Sequence, residues 1–446
     1  MLRRSFMQVM GYGTFGLTAL RAKGQIRQSK TEVFPRGTAE NLILVNLKGG
    51  PSHVDTFDLK TGSWTPSDFE PVTAGNIALA GALFPNLAAR TAHFSLLRCL
   101  SHNEAVHQRA SYLLETCHTF NPTFSKEQPH IGSIMALELA ASRTDSDILP
   151  PFMAINGLVQ GAGMLSSDTA PFLFDASQGV SGLTHPGGES LFEKRYQSLL
   201  RFDAANREGK AAGGATISDY HHFYSLGKQL MYEPSLDGAF TVTADEMVRY
   251  GDSGVGAGCA LAAKLLGKNL GARVIQVNHT GWDSHYDIYD RNLNGNIYNL
   301  ANSLDQALAT LFDDLMAMEG KRGGSLLDET LVVAVGEFGR TPGGLSNNQG
   351  RDHYPYTYSA LVAGGGITPG QTFGATDPEG WAIIDPFWSE NRYITINDLI
   401  VTLYSSLGID WTKEIQDTPS GRVYEYSPKV NGQSGYYKDI AAMFGG

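Results

Sequence analysis

The sequence predicts an α/β protein whose central sheet is largely parallel and covered by helices on both faces. Three observations carry this reading. Strands and helices alternate along the chain, the strand segments are apolar at successive rather than alternate positions, and four of them run directly into polar loops. A strand apolar on both sides must be buried on both sides, as it is in a parallel sheet between two helix layers. Ligands of such sheets gather outside the carboxyl ends of the strands, so the four polar loops are expected to meet at one edge.

The elements follow in order. The start, Met1 to Met7 with paired Arg3-Arg4 and Phe6, leads into a weakly apolar, glycine-bearing stretch that ends at Leu20. It resembles a twin-arginine export signal over residues 1–30, which implies passage through the twin-arginine machinery in the folded state and a periplasmic or extracellular destination. Leu20-Arg21-Ala22 is not a small-x-small cleavage site, so retention by an uncleaved N-terminal segment is the accompanying expectation. A single domain is expected from residue 40 to residue 446. Asn41 to Leu47 reads as the first central strand, stopped by Lys48-Gly49-Gly50-Pro51. Phe94 to Leu100 is the second, followed by Ser101-His102-Asn103 and a helix through Ala110, Leu113 and Leu114. The stretch 147–186, rich in Gly, Pro and Phe, reads as a loop-rich insertion.

Helical patterns cover Leu191 to Leu230 and the apolar run Cys259 to Leu266. Strand Arg273 to Asn278 leads into His279-Thr280-Gly281-Trp282-Asp283-Ser284-His285, and an amphipathic helix spans Asn296 to Met318. Thr330 to Gly336 is an apolar strand before Glu337, and Tyr358 to Gly364 is another. Thr395 to Gly408 is a capped helix closed by glycine.

Composition narrows the function. The 446 residues are 42% apolar, which is ample for a core, and the formal charge of −11 with no long basic run gives no surface for nucleic acid or anionic lipid. An anionic substrate therefore requires a local basic or metal centre. Cys99, Cys117 and Cys259 form no closely spaced pair, so a cysteine zinc site and a disulfide framework are both disfavoured.

Four clusters carry side chains fit for chemistry. Gly49-Gly50-Pro51-Ser52-His53 combines close backbone approach with a hydroxyl and an imidazole, although Ser52 and Asp55 equally suit a turn. His102, Glu104 and His107 stand at the start of a helix, where backbone N–H groups favour an anion. Asp283 and His285 suit a metal pair or an imidazole oriented by a carboxylate. Glu337 and Arg340, with Arg351-Asp352-His353 after a Gly/Asn-rich loop, offer forked donors for an anion together with acid–base or metal ligation, although ion pairs closing the loop explain the arginines as well.

In this order, the motifs Gly49-Gly50-Pro51-Ser52-His53-Val54-Asp55-Thr56-Phe57-Asp58, Gly281 to His285, Gly336 to Pro342 and Gly350 to Pro355 resemble a bacterial family known as domain of unknown function number fifteen hundred and one. The resemblance runs from about Asn41 to Gly408 and includes the leader. It implies an alkaline-phosphatase-like three-layer sandwich, shared with sulfatases and phosphoglycerate mutases. It also implies ester chemistry at a covalent Ser, Thr or modified Cys with one or two divalent metals held by Asp and His. This chain departs from that pattern in having Gly49-Gly50 and Glu337-Phe338 where such enzymes have Asp and Asp-His. The sulfatase-like stretch ending Leu113-Leu114-Glu115-Thr116 places Val106 or His107 at the nucleophile position.

Two functions follow as expectations. The first is an exported metal-dependent hydrolase of a phosphate or sulfate ester, such as a sulfated or phosphorylated carbohydrate. It would use Zn, Ca, Mg or Mn held among His53, Asp283, His285, Glu337, Asp352 and His353. Ser52, His102, His107 and Arg340 would do the catalytic work, with Ser52 or His107 as nucleophile or acid–base and Arg340 holding the anion. The second is a non-catalytic member that binds a carbohydrate or a protein at the same edge.

Overall fold

The fold is built on a nine-stranded sheet whose order explains where the polar loops go. The computed structural model describes residues 26–27, 31–208 and 224–445; apart from Ile26–Arg27, the expected leader lies outside the described residues. The strands are β1 (Asn41–Lys48), β2 (Phe94–Ser101), β3 (Phe152–Ile155), β4 (Phe172–Phe174), β5 (Val274–Thr280), β6 (Thr330–Val335), β7 (Tyr358–Ala363), β8 (Thr372–Phe373) and β9 (Ile394–Thr395). Their spatial order is β8-β2-β7-β6-β1-β5-β3-β4, with β9 also pairing β2. Strands β6, β1, β5, β3 and β4 are mutually parallel. Only β7 is reversed, antiparallel to both β6 and β2.

Successive side chains of β1 enter opposite cores, as a doubly buried strand requires. Ile43, Val45 and Leu47 join the cluster packed by α3 (Gly254–Gly267) and α4 (Ile297–Ala317), while Leu42 and Leu44 join the one packed by α1 (His107–Thr116), α2 (Ile131–Leu139) and α5 (Ile396–Ser406). The result is a helix–sheet–helix sandwich. Helix starts follow local chemistry: the Asn296 side chain accepts from Asn299 N, and Asp398 reaches back to Thr395 N at 2.9 Å.

Two expectations are modified. The segment 147–186 contributes β3 and β4, which complete one side of the sheet. Each is only three or four residues long and flanked by turn residues, so neither shows a period of its own. The helical stretch beginning near Leu191 is observed as Gly188–Glu208 and again at residues 224–230; the part between lies outside the described residues. The three cysteines are buried free thiols. No helix among the described residues is long and apolar enough to cross a membrane.

Because β1, β2, β5 and β6 run the same way, the loops after them share one edge. Strand β7 runs the other way, so the segment before it reaches that edge. The strand order thereby brings Asp352-His353 beside the loops carrying His107, Asp283-His285 and Glu337.

Candidate metal centre

Each side chain of the centre is placed by a strand end. His107 opens α1, six residues beyond β2; Asp283 and His285 follow β5; and His353 stands in a short strand, His353–Tyr354, paired with Gly339–Arg340. Glycines let these loops approach. A Cβ on Gly49, whose φ is +113°, would lie 2.5 Å from Asp283 N, and one on Gly350 would lie 2.0 Å from the His285 carbonyl carbon.

The donor atoms of His107, Asp283, His285 and His353 lie within 4.8 Å of one another. Asp283 Oδ1 is 3.1 Å from His107 Nε2, 3.0 Å from His285 Nε2 and 3.5 Å from His353 Nε2, and the last two nitrogens are 3.0 Å apart. Zinc bonds of about 2.0–2.1 Å would set tetrahedral donors roughly 3.3–3.4 Å apart, so these spacings are those of ligands around one small cation.

The tautomers point the same way. His107 Nδ1 lies 2.7 Å from Glu337 Oε1, His285 Nδ1 lies 3.0 Å from Asp352 Oδ1, and His353 Nδ1 lies 2.7 Å from the Ala105 carbonyl. Every partner is an acceptor, so each Nδ1 carries the proton and each Nε2 turns its lone pair toward the centre, that of His285 also lying 3.3 Å from Arg340 Nη1. His107 Nε2 is buried without a hydrogen-bond partner: its approach to Asp283 sets lone pair against lone pair. Lone pairs converging in this way repel unless a cation lies between them, and three imidazoles with one carboxylate suit a transition-type divalent ion. The residues present fit a metal.

Arg340 supplies the remaining positive charge. It is fully buried, donating from Nε to the Gly50 carbonyl at 2.9 Å and from Nη1 to the Arg351 carbonyl at 3.0 Å, with Nη2 on the Gly49 carbonyl and Asp283. Partial burial raises the Asp283 carboxyl pKa, but the Arg340 guanidinium beside it outweighs this and holds it below the usual carboxylate range. The Glu337 hydrogen bond raises His107, whereas burial lowers His353 despite its bond to the Ala105 carbonyl. Phe338 lies under the rings of His107 and His353, with centroids at 4.9 and 4.6 Å.

Several sequence expectations are redistributed. His107, expected as a catalytic group, joins Asp283, His285 and His353 as a donor. Glu337 and Asp352, expected as ligands, instead stand behind His107 and His285, and Glu337 also accepts from Gly49 N at 3.0 Å. His53 is corrected as a ligand: it is buried with Nε2 on the Gly380 carbonyl at 3.0 Å, and burial lowers its pKa. Ser52 is corrected as a nucleophile. It is 2% exposed and donates to Asp55 Oδ2 at 2.6 Å, within a buried network of Asp55, Arg351 and Tyr289. His102 holds the loops together, with Nε2 2.6 Å from the Glu337 carbonyl and Nδ1 accepting from Glu104 N; burial lowers its pKa. Arg340 has its donors engaged by protein, so it braces Asp283 rather than facing an incoming anion. The Ala105 carbonyl left no trace in residue type; its position between β2 and α1, beside His107, was the available signal.

Fold and site together define a three-layer α/β protein with a three-histidine, one-aspartate centre at the carboxyl edge of its sheet. The chain belongs to the family described as Protein of unknown function (DUF1501), whose pattern matches residues 39–429. Among curated proteins, none matches the sequence significantly. Similar solved structures include a protein in the alkaline phosphatase superfamily from Vibrio parahaemolyticus (11% identity, TM-score 0.34, covering 96% of this chain and 79% of that one). Another is the C-terminal periplasmic domain of EcEptC from Escherichia coli in complex with Zn (10%, 0.37, 92% and 98%). A third is the phosphonate monoester hydrolase SpPMH from Silicibacter pomeroyi (13%, 0.37, 85% and 74%).

Proposed function

We propose that this chain is an exported, metal-dependent hydrolase of a phosphate or sulfate ester. The observation that carries the proposal is the convergence of three imidazole Nε2 lone pairs and Asp283 Oδ1, each Nδ1 being tied to an acceptor. The ester class comes from the resemblance of the ordered motifs. Three nitrogens and one oxygen favour zinc over calcium, magnesium or manganese, which prefer oxygen ligands. A divalent cation held there supplies Lewis acidity toward the oxygens of an ester.

The chain's own residues prepare the place. Glu337, Asp352 and the Ala105 carbonyl fix the three rings, Arg340 keeps Asp283 ionised, and Phe338 forms an apolar floor that excludes water from beneath the rings. The half-exposed Asp283 marks the side from which substrate arrives. The leader resemblance assigns export through the twin-arginine machinery, with signal processing or retention to be read from the N-terminus of the exported protein.

The test is metal analysis of the purified protein, followed by hydrolysis of aryl phosphate and aryl sulfate with Zn, Mn, Mg and Ca. About one equivalent of metal and metal-dependent ester cleavage are expected. No bound metal and no cleavage with any ion would refute the reading. Metal without cleavage would favour the non-catalytic carbohydrate- or protein-binding alternative, which the burial of the Ser52 hydroxyl supports.

A further inference from the structure

A second recess lies along the same sheet edge, on the side of β5 away from β1. It encloses about 820 Å³ and is walled by the ends of β3, β4 and β5, the segment 240–242 and the start of α3. That volume is within the range of about 300–1,000 Å³ typical of small-molecule sites. Thr280 forms part of its wall and lies three residues before Asp283, with Thr280, Gly281 and Asp283 exposed and Trp282 buried between them, so one short loop links the recess to the metal centre.

The lining has a definite chemistry. Among the described residues it contains no Lys and no Arg, while Asp175 and Asp252 add two carboxylates. A second sulfate or phosphate would find no counter-charge there. The amide of Gln178 and the hydroxyls of Ser177, Thr241 and Thr280 stand exposed at the rim, and Phe240, Val242, Met247 and Val255 supply apolar wall. Asn156 is rigidly set: its φ is +63°, its Nδ2 donates to the Gly254 carbonyl at 2.6 Å and its Oδ1 accepts from Ala176 N at 2.9 Å. Hydroxyl and amide edges around apolar walls match a molecule with hydroxyl edges and C–H faces.

We infer that this recess is the subsite for an uncharged, hydroxyl-rich leaving group, a neutral oligosaccharide segment, whose single anionic ester lies at the metal centre. The inference rests on the ester-hydrolase reading for the direction of the substrate, but its test does not. Binding of neutral cello-, malto- and chitotetraose to the full-length protein is measured by saturation-transfer NMR. The same measurement is made on Thr280→Trp and Gln178→Trp, which crowd the recess, and on His353→Ala, which removes a metal donor. At least one tetrasaccharide is expected to bind, to bind at least fivefold more weakly to either crowded variant, and to bind His353→Ala unchanged. Absence of binding by all three sugars, or binding indifferent to both crowding variants, overturns the subsite. Competition by spermidine that is lost in the crowded variants also overturns it, in favour of a cationic ligand drawn by Asp175 and Asp252. Cleavage of aryl esters without tetrasaccharide binding sinks the subsite alone, while binding without ester cleavage sinks the hydrolase reading alone.

Discussion

At the scale of single residues, the groups behind the donors matter as much as the donors. Asp352 touches the centre only through His285, and its side chain is 70% exposed, so it contributes little to packing. Asp352→Asn is expected to weaken metal affinity by about 10–100-fold, the usual cost of losing such an outer partner, with the melting temperature of the metal-free protein unchanged. Competition with a chelating dye measures the first and calorimetry the second; an unaltered affinity would show that Asp352 does not orient His285. Arg351 behaves oppositely. It and Asp55 are both fully buried, joined at 2.8 Å, so Arg351→Met leaves a carboxylate without its counter-ion and should cost about 3–5 kcal/mol in denaturant unfolding. Residue type alone did not separate these roles. Ser52-His53 and His102 to His107 look equally reactive in sequence, yet Ser52, His53 and His102 turn inward beneath the loops and only His107 of these turns outward. The difference is one of side-chain direction, and direction follows from the loop paths.

At the scale of elements, much of the architecture was legible. β1, β2, β5 and β6 are apolar on both faces, so their existence and their parallel setting follow from pattern, and with them the shared edge that receives three of the four clusters and the Glu337–Arg340 part of the fourth. The reversal of β7 left no such mark, because a short run such as Tyr358–Ala363 reads alike in either direction. Asp352-His353 therefore reaches the centre from before its strand, a fact that only the order of the sheet reveals. The glycines at the loop crossings lead to a sharp expectation. Gly350→Ala would force a methyl group onto the His285 carbonyl, displacing a donor-bearing loop while leaving all four donors in the chain. Loss of stoichiometric metal, with the far-ultraviolet circular dichroism of the wild type retained, is the outcome expected. Normal metal content in that variant would mean that the loops do not need this close approach.

At the scale of the whole molecule, stability should depend on metal and on pH. A cation bound by the folded state alone, at a hundredfold excess over its Kd, adds about 2.7 kcal/mol, so chelation should lower the melting temperature reversibly. Burial pushes the pKa values of His118, His130 and His279 down to about 4, so the fold holds all three neutral. Unfolded, each takes up a proton near pH 6.5, and the unfolded state then binds more protons than the folded one. The stabilisation is whole above pH 6.5, declines as the pH falls and is spent near pH 4, with each group worth on the order of 3 kcal/mol at most. Denaturant midpoints that stay flat between pH 6.5 and 4.5 would contradict this.

The short strand Ile26–Arg27 pairs with Glu414–Ile415, which in turn pairs with Tyr424–Glu425. The body of the protein therefore claims residues well upstream of β1, in a segment that leader composition alone would assign to the signal. A peptidase acting on the expected leader would meet a boundary set by this small sheet. A cut before Ile26 would leave that sheet whole, whereas a cut after Arg27 would strip an edge strand and bare the backbone of Glu414–Ile415 as a template for pairing with another chain.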